Sequence, residues 1–223
     1  MCGRFNYRIT PAQLQEAFET LRIPDADWQP RYNVAPTQPV VAIRHADDGR
    51  EAVLLRWGLI PHWAKEPGRP LNINARAETI ATKPMFRDPF SRRRCLIPAS
   101  GFYEWQQTGP KTKQPYHIGL KAGRPFAFAG LWDRWSKGDE PIESCTIITT
   151  DANDLLQPLH DRMPVFLHER DYDVWLDPHN ADKDELQSLL VPFPSEEMDC
   201  YPISSTVNSY KNDTPKCIEP LET

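Results

Sequence analysis

The chain begins Met1-Cys2-Gly3-Arg4-Phe5, so removal of one methionine leaves an amine and a thiol on the same residue. Such a 1,2-aminothiol condenses with an aldehyde: the amine forms an imine, and the thiol then adds to it and closes a five-membered thiazolidine ring. An internal cysteine has no such route. An unperturbed α-amino group has a pKa of about 7.7 to 8, so a substantial fraction is free base near neutrality. The thiol, with a reference value of about 8.5, gains from a nearby positive charge or donor, and Arg4 is close in sequence. A frayed terminus would make Cys2 incidental, but the residues that follow read as folded.

Four further segments mix reactive side chains with apolar or proline neighbours that would hold a loop still: Asn72 to Glu78, Pro98 to Trp105, Leu159 to Pro164 and Tyr201 to Asn208. Asn74 can orient a partner without titrating near neutrality. Glu104 lies among Phe102, Tyr103 and Trp105, whose packing would raise its pKa and let it carry protons. His160 has the intrinsic pKa of a proton donor at physiological pH. Singly, each has an ordinary structural explanation: an arginine partner for Glu104, a turn carbonyl for His160, its own loop for Asn74. Together, and with a terminal cysteine, they point to catalysis.

Elements must hold these groups in place. Thr10-Pro11-Ala12-Gln13 combines a capping threonine, a proline suited to the first helical position and a glutamine that completes a capping box. With the stripe Leu14, Ala17, Phe18 and Leu21, this predicts an amphipathic helix over 11–21 that ties the chain's beginning to the core. Apolar runs at 40–44, 52–58, 94–97, 116–120, 126–132, 144–150 and 163–167 read as strands. Residues 181–190 read as a helix, with shorter ones at 151–159 and 172–176. Stretches 66–70, 106–114 and 135–141 read as loops. Strands outnumber helices without regular alternation. The expectation is an α+β fold, one domain around a largely antiparallel, barrel-like sheet with peripheral helices, its core ending near 208 and a surface tail following.

The 223 residues can bury a sizeable core. Five cysteines without a Cys-x-x-Cys pair, and no signal-like or membrane-spanning run, indicate a soluble protein in a reducing, intracellular setting, cytoplasmic or nucleoid-associated if bacterial. Cys95 and Cys145 lie in apolar strands and read as buried fillers. No metal-ligand spacing or phosphate-cradling glycine loop occurs, so no cofactor is expected. The net charge of -5 is uneven: residues 1–100 carry 15 Lys plus Arg against 10 Asp plus Glu, the remainder 11 against 21. A basic face of Arg4, Arg8, Arg76, Arg87 and Arg92 to Arg94 is compatible with the acidic total.

The motifs Met-Cys-Gly-Arg-Phe, Asn-x-Arg-x-Glu at 74–78, Gly-Phe-Tyr-Glu-Trp at 101–105 and His-x-Arg-Met-Pro at 160–164, in this order, make the chain similar to the SOS response-associated peptidase family, also called abasic-site processing proteins. The resemblance spans residue 2 to about 208 and implies a single α+β domain on a barrel-like sheet. It implies a sensor that captures abasic sites in single-stranded DNA as a thiazolidine after loss of Met1, either by self-processing or by an aminopeptidase. The roles it implies are nucleophile for Cys2, orienting and polarising amide for Asn74, acid/base for Glu104, and partner of the sugar oxygen and imine for His160. Arg4, Arg76 and Arg162, each beside one of these residues, are the phosphate candidates. Trp105, Trp63, Met85 and Phe86, with Pro39 the weaker case, are the base-stacking or wedging candidates. Strand cleavage by β-elimination is a side activity compatible with the imine. The partner is DNA, not a membrane, and the chain acts as a monomer. Two other readings stay open: an N-terminal cysteine hydrolase with Cys2, His160 and Asn74 as triad, and a noncatalytic single-strand binding module.

Overall fold

In the computed structural model, which describes residues 2–24, 28–68, 72–121 and 123–221, short apolar runs build strands that outnumber the helices. In order, the elements are β1 (Phe5–Tyr7), α1 (Pro11–Phe18), β2 (Thr20–Arg22), β3 (Arg31–Val34), β4 (Pro39–Ala46), β5 (Gly49–Trp57), β6 (Asn74–Arg76), α2 (Arg87–Arg92), β7 (Arg94–Ala99) and β8 (Gly101–Gly109). They continue with β9 (Thr112–Leu120), β10 (Phe126–Trp135), β11 (Ile142–Asp151), β12 (Arg162–Pro164), β13 (Phe166–Leu167), α3 (Tyr172–Leu176), α4 (Lys183–Ser188) and β14 (Met198–Pro202).

Two sheets result. The larger has the order β12-β11-β10-β7-β4-β5-β2, and it curls until β11 pairs in parallel with β5 through Ser144 opposite Arg56 and Cys145 opposite Trp57. Strands β5, β4, β7, β10 and β11 thus form a ring. The smaller sheet, β14-β9-β8-β1-β3, is antiparallel and packs on the ring edge-to-face, Phe5 on Trp57 at 5.2 Å and Phe102 on Phe128 at 6.1 Å. This is the mixed α+β, largely antiparallel arrangement expected, with a ring-like sheet at its centre.

Period two decides which side chains meet the site. In β8, Phe102 and Glu104 share the face toward the ring, while Tyr103 and Trp105 turn to the opposite face. There Tyr103 joins a small second core with Ile203, Val207 and Cys217. Gly101 lets two strands close over β8: a Cβ at this position would stand 2.3 Å from His117 Nε2 and 2.8 Å from Asn6 Nδ2.

Several expectations are corrected. The capping box at Thr10 and Gln13 is present, but the helix ends at Phe18. Glu19 takes a left-handed conformation at φ 51°, and Arg50 Nη1 donates to the Phe18 carbonyl, so Leu21 is exposed in a strand. Residues 154–159 form turns rather than a helix: Asn153 caps them as at a helix start, its Oδ1 accepting the Leu156 N–H, but Pro158 has no N–H to continue the ladder. The run 163–167 splits into β12 and β13: Pro164 cannot donate, and the chain passes from pairing with β11 to pairing with β10. Residues 106–114, read as a loop, are the extended end of the β8–β9 hairpin, whose polar residues go uncovered. Part of the 66–70 stretch lies outside the described residues. The segment after 208 runs over the surface with most of its described residues exposed, and it is tied down: Cys217 is buried, Tyr201 donates its hydroxyl to the Ile218 carbonyl, and Leu221 N–H donates to the Pro202 carbonyl.

Candidate active site

Cys2 is held where β1, β6 and β8 converge. Tyr103 N–H donates to the Arg4 carbonyl at 3.0 Å, extending the β1–β8 register beyond Phe5 opposite Phe102. From the other side, Asn74 Nδ2 donates to the Cys2 carbonyl at 2.9 Å, while Asn74 Oδ1 is buried with no hydrogen-bond partner among the described residues. Asn74 owes its place to β6, whose parallel pairing sets it opposite Ile147 of β11. The next strand along, β12, also pairs with β11 and begins two residues after His160. One strand therefore carries both segments that bear polar site residues.

Glu104 is 5% exposed. Burial raises its carboxyl pKa above the ordinary carboxylate value, and the His160 imidazole pulls it partly back. The Cys2 thiol has no exposure; burial pushes its pKa far up, and the nearby Glu104 carboxylate adds to that. The resting sulfur is therefore a thiol rather than a thiolate. His160 Nδ1 has two partners, the Arg162 N–H at 3.0 Å and Asp161 Oδ1 at 2.7 Å. A nitrogen that accepts cannot also donate, so the first contact suits a ring with Nδ1 bare and the second a ring that carries a proton there.

Glu104 and His160 line an open groove of about 690 Å³ with Trp105, Gln107, Lys111, Lys113 and Asn208. Lys111 and Lys113 were not singled out in the sequence, because the hairpin that carries them read as a loop; their alternation in Lys111-Thr112-Lys113 was the available signal. Asn208 Oδ1 accepts the Trp105 indole N–H at 2.7 Å and fixes the ring at the groove wall.

The other candidates disperse. Arg76 is exposed at the end of β6. Arg4 is partly buried and donates from Nη1 to Asn33 Oδ1 at 2.8 Å and to the Val207 carbonyl at 2.9 Å. Arg162 is 7% exposed, its guanidinium taken by Glu78 at 2.7 and 3.0 Å, Asp151 at 2.6 Å and the Thr149 carbonyl at 2.6 Å. In this arrangement it braces β11, β12 and the turn after β6, and a phosphate would have to displace carboxylates from it. Trp63 is 49% exposed and Pro39 is exposed at the start of β4. Met85 packs partly against the main core, and Phe86 is buried in it, so Phe86 is not a wedge. The basic run also divides: Arg94 is buried on the carbonyls of Trp175, Phe90 and Asp177, and Arg93 pairs with Asp133. Among the described residues no group of three or more His, Cys, Asp or Glu could hold a metal ion, and no helix is long and apolar enough to cross a membrane.

Comparison with known proteins matches residues 1–210 to the family model for SOS response associated peptidase (SRAP). The chain is 46% identical to the abasic site processing protein YoqW of Bacillus subtilis, over 98% of this chain and 99% of that one. It is 34% identical to the abasic site processing protein HMCES of Gallus gallus, over 100% of this chain and 78% of that one. A crystal structure of a protein from Bacteroides thetaiotaomicron superposes with a TM-score of 0.87 at 32% identity, covering 99% of this chain and all of that one.

Proposed function

Because the chain belongs to the SOS response associated peptidase family, we propose that it captures abasic sites in single-stranded DNA as a covalent thiazolidine on Cys2, acting as a monomer in the DNA damage response. The observation that carries this reading is the convergence on Cys2 of an amide, Asn74, and a raised-pKa carboxyl, Glu104, itself coupled to His160.

Removal of Met1 makes Cys2 the terminal residue. An abasic sugar is mostly a closed hemiacetal, and His160, lining the groove, donates to the ring oxygen while the 1-hydroxyl gives its proton to solvent and the aldehyde opens. The Cys2 amine attacks C1′ to give a carbinolamine. Glu104, whose burial raises its carboxyl pKa, supplies the proton with which the hydroxyl leaves as water. The resulting iminium places a positive charge beside the sulfur, opposing the burial that kept the thiol protonated. Sulfur adds to C1′, its proton passes to Glu104, and the former imine nitrogen becomes the ring amine. The balance is aldehyde plus aminothiol to thiazolidine plus water. The order, amine first and sulfur second, follows from the buried thiol.

Asn74 holds the Cys2 carbonyl and so aims the amine. Lys111 and Lys113 line the groove with positive charge for the flanking phosphates, exposed Arg76 is a further phosphate candidate, and Trp105 and the exposed Trp63 offer faces to bases. The hydrolase reading loses ground, since its triad needs Asn74 turned to His160 and the Asn74 amide donates to the Cys2 carbonyl instead. Self-removal of Met1 and a slow β-elimination belong to this proposal as side activities of the same groups.

The test is the intact mass of purified protein before and after incubation with a single-stranded oligonucleotide bearing one abasic site, with Cys2→Ser alongside. The expected result is a starting mass lacking methionine, then a denaturant-resistant adduct equal to the oligonucleotide less one water, absent in the serine form. A processed parent that yields no adduct overturns the proposal.

A further inference from the structure

We propose that Asn33 is a positioning residue for the Cys2 reaction, acting through Arg4, and that residues 204–213 form the strap that holds it. This rests on the capture chemistry proposed above.

Asn33 lies on β3 with no solvent exposure. Its Oδ1 accepts Arg4 Nη1 at 2.8 Å. Its Nδ2 faces three carbonyls of the strap, Val207 at 3.2 Å, Ser209 at 2.9 Å and Asn212 at 2.7 Å. The Val207 carbonyl accepts the same Arg4 nitrogen at 2.9 Å, so side chain, strap and arginine close a triangle. Asp213 locks the far side: its carboxylate accepts the backbone N–H of Asn33 at 3.0 Å and that of Tyr32, and pairs with Arg31 Nε at 2.5 Å.

A buried amide costs free energy unless every polar atom is paired. To tie the strap down, only the amide nitrogen of Asn33 is needed, yet the oxygen is committed to a residue two positions from the nucleophile. Arg4 in turn anchors Cys2, since its carbonyl accepts the Tyr103 N–H, one residue before Glu104 in β8. Arg4 is half-buried, and that burial lowers its pKa. Without Asn33 the guanidinium loses one of two fixed acceptors and gains by turning to solvent, which slackens the segment that aims Cys2 at Glu104. The same strap presents Asn208 to Trp105, so groove wall and nucleophile are set by one piece of chain. A misplacement of about 1 Å in a reacting group can cost roughly a hundredfold in rate.

The test uses Met1-free protein carrying Asn33→Ala. Asp213→Ala serves as the milder variant, because that partly exposed carboxylate can be removed without opening the core. Two probes are followed by intact mass, with melting recorded alongside: an abasic single-stranded oligonucleotide over a range of concentrations, and glyoxylate, a small aldehyde that needs no DNA contact. Asn33→Ala should slow capture at saturating oligonucleotide by about tenfold or more, while the half-saturating concentration moves less than about threefold. Glyoxylate capture should slow similarly, and Asp213→Ala should move both rates the same way by less. A folded variant that captures both aldehydes at the parental rate overturns the proposal, and so does a loss confined to half-saturation. If Asn33→Ala melts below the assay temperature, Asp213→Ala decides. A parent that captures glyoxylate but not the oligonucleotide removes the DNA function and leaves the Asn33 comparison readable on glyoxylate.

Discussion

The side-chain amide of Asn74 donates to the main-chain carbonyl of Cys2 at 2.9 Å across 72 residues of sequence. A neutral hydrogen bond of this kind contributes about 1 kcal/mol net, enough to favour one orientation of the terminal residue without immobilising it.

Asn74→Ala should therefore slow adduct formation by about fivefold, since roughly 1.4 kcal/mol corresponds to a factor of ten. Asn74→Asp should be slower still, because a carboxylate would oppose the Cys2 carbonyl. Quenched time courses on denaturing gels, with melting as a control, read both variants. A parental rate in Asn74→Ala would remove the amide from the mechanism.

Glu104 should give capture a bell-shaped pH profile. Rate rises with pH as the Cys2 amine loses its proton, and falls as the buried carboxyl, with its raised pKa, finally ionises and ceases to be an acid. Glu104→Gln should be slower at every pH and keep only the rising limb. Rates at saturating oligonucleotide from pH 5 to 9 would show this, and an unchanged falling limb in the glutamine variant would assign it to another group.

The same carboxyl should cost stability. Its folded pKa is raised, so its favourable contribution is complete below the unfolded value near 4.5 and is lost as pH rises through the folded value. Each unit of elevation is worth about 1.4 kcal/mol. Glu104→Gln should match the parent near pH 4 and melt higher than it at pH 8, the gap opening between. Calorimetry at the two pH values checks the sign.

His117 should make the fold acid-labile. Burial, with Arg8 adding, lowers its pKa from 6.5 to about 4, and its Nε2 lies 3.0 Å from the Asn6 amide nitrogen, which must donate to it. A depressed pKa contributes stability that is complete above 6.5 and lost as pH falls through about 4, at most about 3 kcal/mol. His117→Gln, which keeps an acceptor for Asn6, should flatten that slope. Urea unfolding at pH 7 and pH 4.5 measures it.

Arg76 and Arg162 should separate. Arg76→Ala should lower the salt dependence of reversible DNA binding, measured on a Cys2→Ala background, by about one unit of slope. Arg162→Lys cannot fork to Glu78 and Asp151 together, so it should lower the melting temperature while leaving that slope near the parental value. Equal slopes for Arg76→Ala and the parent would take Arg76 off the DNA path.

The local signals were the ones the sequence made legible. Thr10 and Gln13 announce a helix start through contacts three residues apart, and the runs at 40–44, 126–132 and 144–150 announce strands as short, nearly continuous apolar stretches; the structure keeps all of them, buried almost throughout. The errors arose where a distant residue intervenes. Arg50 ends α1 by taking the Phe18 carbonyl, and β11 and β10 share out residues 163–167 between them. Phe86 read as a wedge because nothing near it in sequence showed that the core would take it.

The sequence by itself determined the reactive inventory: an aminothiol waiting behind Met1, an amide, a carboxyl among aromatic residues and a histidine, with motifs ordered as in one family. These are properties of residue type and short spacing, which chain order alone specifies. The electrostatic state of those groups was left to the tertiary structure. Burial raises the pKa of both the Cys2 thiol and the Glu104 carboxyl, and desolvation depends on what the whole fold brings around a group. So too with the C-terminal segment: a polar, proline-broken stretch reads as a tail, and only the buried amide of Asn33, some 180 residues earlier, shows it to be a strap across the site.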